Sequence, residues 1–125
     1  MTIRVLLALL ALVFFFQAHA SAWMVHGVGT ESCGVWTKTR TQRPKPVLDI
    51  AEQAEWVDGF ISAFNFYQAT VEDVIQRTDI DGVYAWIDNY CAAHPLDQIS
   101  TATIELIEEL SKLCSLPRSA PLPLS

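Results

Sequence analysis

The stretch DIAEQAEWVDGFISAFNFYQ, residues 49–68, decides the fold. Ala54, Val57, Ile61 and Phe64 recur at spacings of three and four, and Trp56, Phe60, Ala63 and Tyr67 form a second row beside them. Two adjacent apolar rows predict one long helix with a wide buried stripe. Pro46 precedes it, Asp49 is placed to cap its first turn, and Glu52 three residues on completes a variant of the capping box. Gly59 falls inside this helix, where it costs about 1 kcal/mol relative to alanine. The expected return is close approach of a second backbone. Phe66 falls off both rows and is a candidate for an exposed contact.

Outward from this helix the chain stays helical in pattern. Thr70 to Gln76 reads as a short turn of helix. From about Asp81 to Ala93, Val83, Trp86, Ile87, Tyr90 and Cys91 share one face, and Pro95 stops the run by pushing its predecessor out of the helical region. Asp79 and Asp81 sit where a helix N-terminus favours negative charge. A last helix runs from Asp97 or Ser100 to about Cys114, with Ile99, Ala102 or Thr103, Leu106, Leu110 and Leu113 inward. Residues 49–114 are thus the helical domain, and residues 115–125, with Pro117, Pro121 and Pro123, read as a disordered tail. Residues 23–48 are turn-rich, with Gly27, Gly29, Gly34, Pro44 and Pro46, and read as an irregular arm anchored by Cys33 and Trp36. The expected fold is all-α: a small bundle of three to four helices with that arm tied on by a disulfide. Trp36, Trp56, Gly59, Phe60, Trp86, Tyr90 and Pro95 are its expected structural positions.

The N-terminus bears on where the protein works. Met1 to Arg4 is a short basic start, Val5 to Phe16 is an apolar run of 12 residues, and Ala18, Ala20 and Ala22 offer two overlapping A-x-A sites. This is the layout of a secretory signal peptide over residues 1–22, cleaved after Ala20 or Ala22. The apolar run falls short of the ~20 residues that span a bilayer, so no membrane span is expected after processing. Loss of Arg4 takes the formal charge from −6 to −7, which argues against nucleic acid and anionic lipid as partners. Lys38, Arg40, Arg43 and Lys45 form the one basic strip, readable as a dock for an acidic partner or as a solvated loop.

Candidate chemistry is sparse. Cys33, Cys91 and Cys114 are the 3 cysteines, so export implies one bridge and one odd thiol. Closing Cys33–Cys91 contributes ~4 kcal/mol and Cys91–Cys114 ~3.5 in the chain-entropy account, too close to choose between. The odd thiol is either buried or links two copies in a homodimer. There is no C-x-x-C, and His26 and His94 are the histidines beyond residue 22, so no metal and no cofactor is expected. Cys91 and His94 make a conceivable nucleophile pair, but an exported cysteine in this pattern reads first as a disulfide half. Asp58, Asp88, Glu105, Glu108 and Glu109 read as solvated faces rather than an acid/base pair.

Three segments carry a resemblance: Ser32-Cys33-Gly34-Val35-Trp36, Trp56-Val57-Asp58-Gly59-Phe60-Ile61-Ser62-Ala63, and Asp81 through Asp97 with its W-x-D-x-Y-C core and following P-L-D. They resemble a group of small exported proteobacterial proteins. Their order is also similar to the Hde-type acid-stress chaperones and to the Rap/Tai-type immunity proteins that neutralise type VI secretion effectors. The resemblance implies a Cys33–Cys91 disulfide with Cys114 free. The cysteine that immunity proteins usually carry beside the Gly59 position is missing here. The expected function is a non-enzymatic periplasmic protein, immunity-like or envelope-stress, whose helical surface binds a protein partner. An acid-activated holdase is the alternative, since the 14 carboxylates neutralise between pH 7 and 2. A small hydrolase accessory is more remote.

Overall fold

In a computed structural model the protein is described over residues 23–68 and 72–116. The expected signal peptide, residues 1–22, and residues 117–125 of the expected tail lie outside the described residues, as do Thr70 and Val71 at the start of the expected short helical turn. The chain forms a 3-10 turn over Gly27–Thr30 and four α-helices: α1 (Cys33–Thr41), α2 (Val47–Tyr67), α3 (Ile80–Ala93) and α4 (Ile99–Cys114). No strand occurs among the described residues; a single bridge pairs Ser32 with Gln98.

The core is built from the inward faces that the periodicity marks. Val57 and Ile61 of α2, Val83, Ile87 and Cys91 of α3, and Ile99, Ala102, Leu106, Ile107 and Leu110 of α4 are all buried, with Cys33 and Trp36 of α1 closing one side. The second row of α2 does not stay inside. Trp56 and Phe60 are half-buried, whereas Ala63 and Tyr67 face solvent beside Phe66, which is 81% exposed as its off-row position requires. α3 opens at Asp79, whose carboxylate accepts the Gly82 N–H at 2.8 Å, and its last turn ends at His94, ahead of Pro95. α2 begins at Val47, with Pro46 in the capping position, two residues before the expected start.

The arm differs from expectation. Cys33 to Thr41 is helical rather than irregular. Only Cys33, Trp36 and Thr39 point inward, too few apolar positions to produce a visible period. A helix this short is marginal alone and needs tertiary support, which α1 has. Ser32 caps its first turn by accepting from the Val35 N–H at 3.4 Å. The Cys33 and Gly34 N–H groups donate to the carbonyls of Asp97 (2.7 Å) and Pro95 (3.0 Å), and the Ile99 N–H at the head of α4 donates back to Glu31 O at 2.9 Å. The free N–H groups of two helix starts are thereby satisfied by each other's approach segments.

Cys33 and Cys91 form the disulfide, with Cα atoms 4.6 Å apart, and so tie α1 to α3. Cys114 is free and half-buried, its thiol 3.5 Å from the Val74 carbonyl. The segment before α3 is fastened on both sides. Asn65 of α2 donates to the Asp73 carboxylate at 2.8 Å and accepts the Val74 N–H at 3.0 Å, and Arg77 donates to Leu113 O at 2.8 Å. No helix of the described residues is long and apolar enough to cross a membrane.

The bridge closes a separation of 58 residues, which the chain-entropy account values at about 4 kcal/mol. The Cys33→Ser/Cys91→Ser double variant is expected to lose about that much in urea unfolding. A loss below about 1 kcal/mol would show that α1 is held without the bridge.

Candidate binding face

The arm and α2 together shape an open apolar groove. Gly27 turns the chain at φ +74°, a conformation that favours glycine. Gly29 then lies flat against the Trp56 indole, where any side chain would collide with the ring. Trp56 is pinned in that position by its Nε1–H, which donates to His26 O at 2.8 Å, and by stacking on Phe60 with centroids 5.2 Å apart. Trp23 also meets Phe60, with ring centroids 6.2 Å apart and the planes tilted. Between the arm's Trp23, Met24, Val25 and His26 and α2's Glu55, Trp56, Gly59 and Phe60 is a groove of about 340 Å³, within the size range of ligand-binding clefts. Trp23 is 55% and Met24 80% exposed, so large apolar side chains stand in solvent along it.

Gly59 has a different role from the one its position suggested. No backbone approaches it: a Cβ there would meet nothing within 4 Å. Its missing side chain forms the floor of the groove rather than a helix-packing contact. Of the expected structural positions, Trp36 is buried, Trp56, Phe60, Trp86 and Tyr90 are half-buried, and Pro95 is exposed, with its carbonyl capping α1.

A second cluster joins α1, α2 and α3. Asp88 receives the Trp36 Nε1–H at 2.7 Å and pairs with Arg40 Nε at 2.6 Å. The Arg40 guanidinium lies over the Trp36 ring at 4.7 Å and the Tyr84 ring at 5.4 Å, and the Tyr84 hydroxyl donates to Asp58 at 2.9 Å. Asp58 and Asp88 are therefore interhelical acceptors rather than free carboxylates: α1 supplies the donors to Asp88, whose side chain stays 45% exposed, and α3 supplies the donor to Asp58. Arg40 is likewise consumed inside the molecule, its side chain 21% exposed. The basic strip is reduced to the exposed Lys38, Arg43 and Lys45, and Arg43 bonds to its own neighbours' carbonyls, Thr41 O and Gln42 O.

Along α3 the rings of Trp86, Tyr90 and His94 stack in succession, with centroids 5.3 and 4.5 Å apart. Their polar tips also end on acids: Trp86 Nε1–H on Glu109 at 3.2 Å and Tyr90 O–H on Asp97 at 2.8 Å. Cys91 is bonded to Cys33, which removes it as a nucleophile partner for His94. Among the described residues no group of three His, Cys, Asp or Glu is placed to hold a metal ion.

The lining residues Trp23, Met24, His26 and Glu55 were missed by sequence reasoning. The available signal was the Gly27-x-Gly29 pair, which lets the arm lie on an aromatic ring. Compared with protein-family models, curated proteins and solved structures, the chain finds no match.

The tyrosines report on the carboxylate contacts. Burial, then the hydrogen bond and charge of Asp58, push Tyr84 up from 10.0 to about 12. The hydrogen bond to Asp97, then burial, does the same to Tyr90. A folded value above the unfolded one means stabilisation that is complete below pH 10 and lost as pH rises toward 12. Asp58→Asn is expected to bring the Tyr84 ionisation part of the way back to 10 in a tyrosinate absorbance titration. An unchanged titration would show that the contact does not form.

Proposed function

We propose that this chain is an exported, non-enzymatic binding protein of the periplasm that engages a protein partner through the face where the arm lies on α2. One observation carries the reading: a solvent-open groove walled by Trp23, Met24, Val25, Trp56 and Phe60 and floored by Gly59. A bundle this small has little apolar surface to spare for its own core. Aromatic and methionine side chains held in solvent around a cleft mark a contact site. A partner's apolar side chain fits the cleft, and Glu55 at the rim favours a basic flank beside it. The disulfide fits an oxidising compartment, and the N-terminal pattern supports export. An immunity-like or envelope-stress role is the form of binding that the resemblance favours.

A second reading, the acid-activated holdase, has an observation of its own. The polar tips of Trp36, Tyr84, Trp86 and Tyr90 all rest on carboxylates, those of Asp88, Asp58, Glu109 and Asp97. Acid converts each acceptor from an ion to a neutral group and weakens charge-assisted bonds, loosening the aromatic face as the net charge turns positive.

Crosslinked capture at pH 7 from native periplasm, repeated with purified components, separates the two. Under the binder reading one stoichiometric partner is retained by the native chain and by Phe66→Ser, and lost with Gly59→Trp, which fills the groove from its floor. Equal retention by Gly59→Trp would contradict a groove-mediated contact. Many clients, bound only at about pH 3, would favour the holdase.

A further inference from the structure

The second apolar row of α2 is only half used inside the molecule. Trp56 and Phe60 are half-buried beside the arm, whereas Ala63, Phe66 and Tyr67 stand in solvent, Tyr67 at 82% exposure. The Phe66 and Tyr67 rings form a pair, edge to face with centroids 5.1 Å apart. At helical spacing Gly59, Ala63, Phe66 and Tyr67 share one outward face, so the floor of the groove and the ring pair lie along a single strip. Residues 59–68 carry no charged side chain, although the chain as a whole stands at −6. Glu52 and Glu55 lie on the same strip one to two turns earlier.

We infer that this strip is the contact between two copies of the chain, paired antiparallel about a two-fold axis at Ala63. Gly59 and Tyr67 lie at equal distances to either side of Ala63, about 6 Å along the helix. Reversing one copy therefore sets Tyr67 of each over Gly59 of the other, where a Cβ would meet nothing within 4 Å. The groove of about 340 Å³ has room for that ring beside Trp23 and Trp56, and Phe66 comes opposite Phe60 in the same register. A two-fold interface needs a surface that complements itself; here projection and recess lie on one helix at the spacing the axis requires. The small side chains at Gly59 and Ala63 allow close approach of the two helices, about 8 Å between axes. Charge fixes the direction. A parallel pair would set Glu52 and Glu55 beside their own copies. The antiparallel pair moves the two Glu55 positions about 24 Å apart along the helix, well beyond the ~8 Å screening length, and leaves the uncharged stretch in contact. The exposed parts of Trp23, Met24, Phe66 and Tyr67 offer on the order of 500 Å² per copy, the low end for a specific interface, so the dimer is a weak one. The inference goes beyond the partner contact and does not rest on it: the second copy and another protein would compete for one groove.

The test uses the oxidised, full mature chain carrying Cys114→Ser, which removes any dimer linked through the free thiol. Sedimentation velocity from about 1 µM to about 300 µM is expected to show a reversible monomer–dimer equilibrium with a Kd of about 10 µM. Tyr67→Ser should raise that Kd about tenfold or more, whereas Leu96→Ser, at an exposed apolar position off the strip, should leave it unchanged. In the same background Ala63→Cys should oxidise to a self-linked dimer, because a residue on the two-fold axis meets its own copy. Ala85→Cys, exposed on α3, should not. A chain still monomeric at about 300 µM, a Kd unmoved by Tyr67→Ser, or equal linking through Ala85→Cys would overturn the interface. No other protein is present in these measurements, so their failure rejects self-association alone. Loss of the captured partner on Gly59→Trp tests the groove contact separately.

Discussion

The structure depends on the clasp between α1 and α3. Cys33, Trp36 and Arg40 follow one another along α1, and they meet Cys91, Asp88 and Tyr84 in reverse order along α3. The two helices therefore run antiparallel, with one covalent contact, one indole-to-carboxylate bond with its ion pair, and one cation–ring contact in register. A nine-residue helix with three inward side chains has no independent reason to persist. Fixing it to α3 is what allows the preceding residues to lie across α2. The arm supplies one side of the groove through Trp23, Met24, Val25 and His26, so the groove inherits its shape from the clasp.

Within the clasp the polar contacts are one-sided in charge. Four aromatic side chains from α1 and α3 place their N–H or O–H on carboxylates of α2, α3, α4 and the turn before α4. Each contact lets a large ring pack at the boundary of the core while its polar tip keeps a strong acceptor. Among the described residues ion pairs are few, and four carboxylates accept instead from the neutral donors of aromatic side chains.

Much of the architecture was legible in the sequence, because it follows from periodicity. The three long helices, their inward faces at Val57, Ile61, Val83, Ile87, Leu106 and Leu110, and the stop at Pro95 all express a 3.6-residue repeat. α1 was not legible by that route, since two of its three inward residues are the cysteine and a threonine. Ser32 ahead of it and Lys38 and Arg40 in its last turn were the signals present. Arg40 was read as part of a strip or loop and Asp88 as a solvent face because no helix was expected beside them; Asp58 was read as a solvent face although its donor, Tyr84, lies on an expected helix, because periodicity does not show where a hydroxyl reaches. Gly59 illustrates a different limit. A glycine inside a helix is equally suited to close packing and to an open floor, and only the path of the arm decides which. The residues alone left two disulfide pairings nearly equal in energy; the bond found, Cys33–Cys91, is the one the resemblance implies.

The most direct test of the clasp is amide hydrogen exchange on the oxidised and the reduced protein under native conditions. The account predicts that reduction strips protection from residues 27–41 and from the α2 segment beneath them, while the buried face of α4 keeps its protection. Unchanged protection across residues 27–41, or an equal loss in all four helices, would contradict the claim that the α1–α3 contact is what lays the arm over α2.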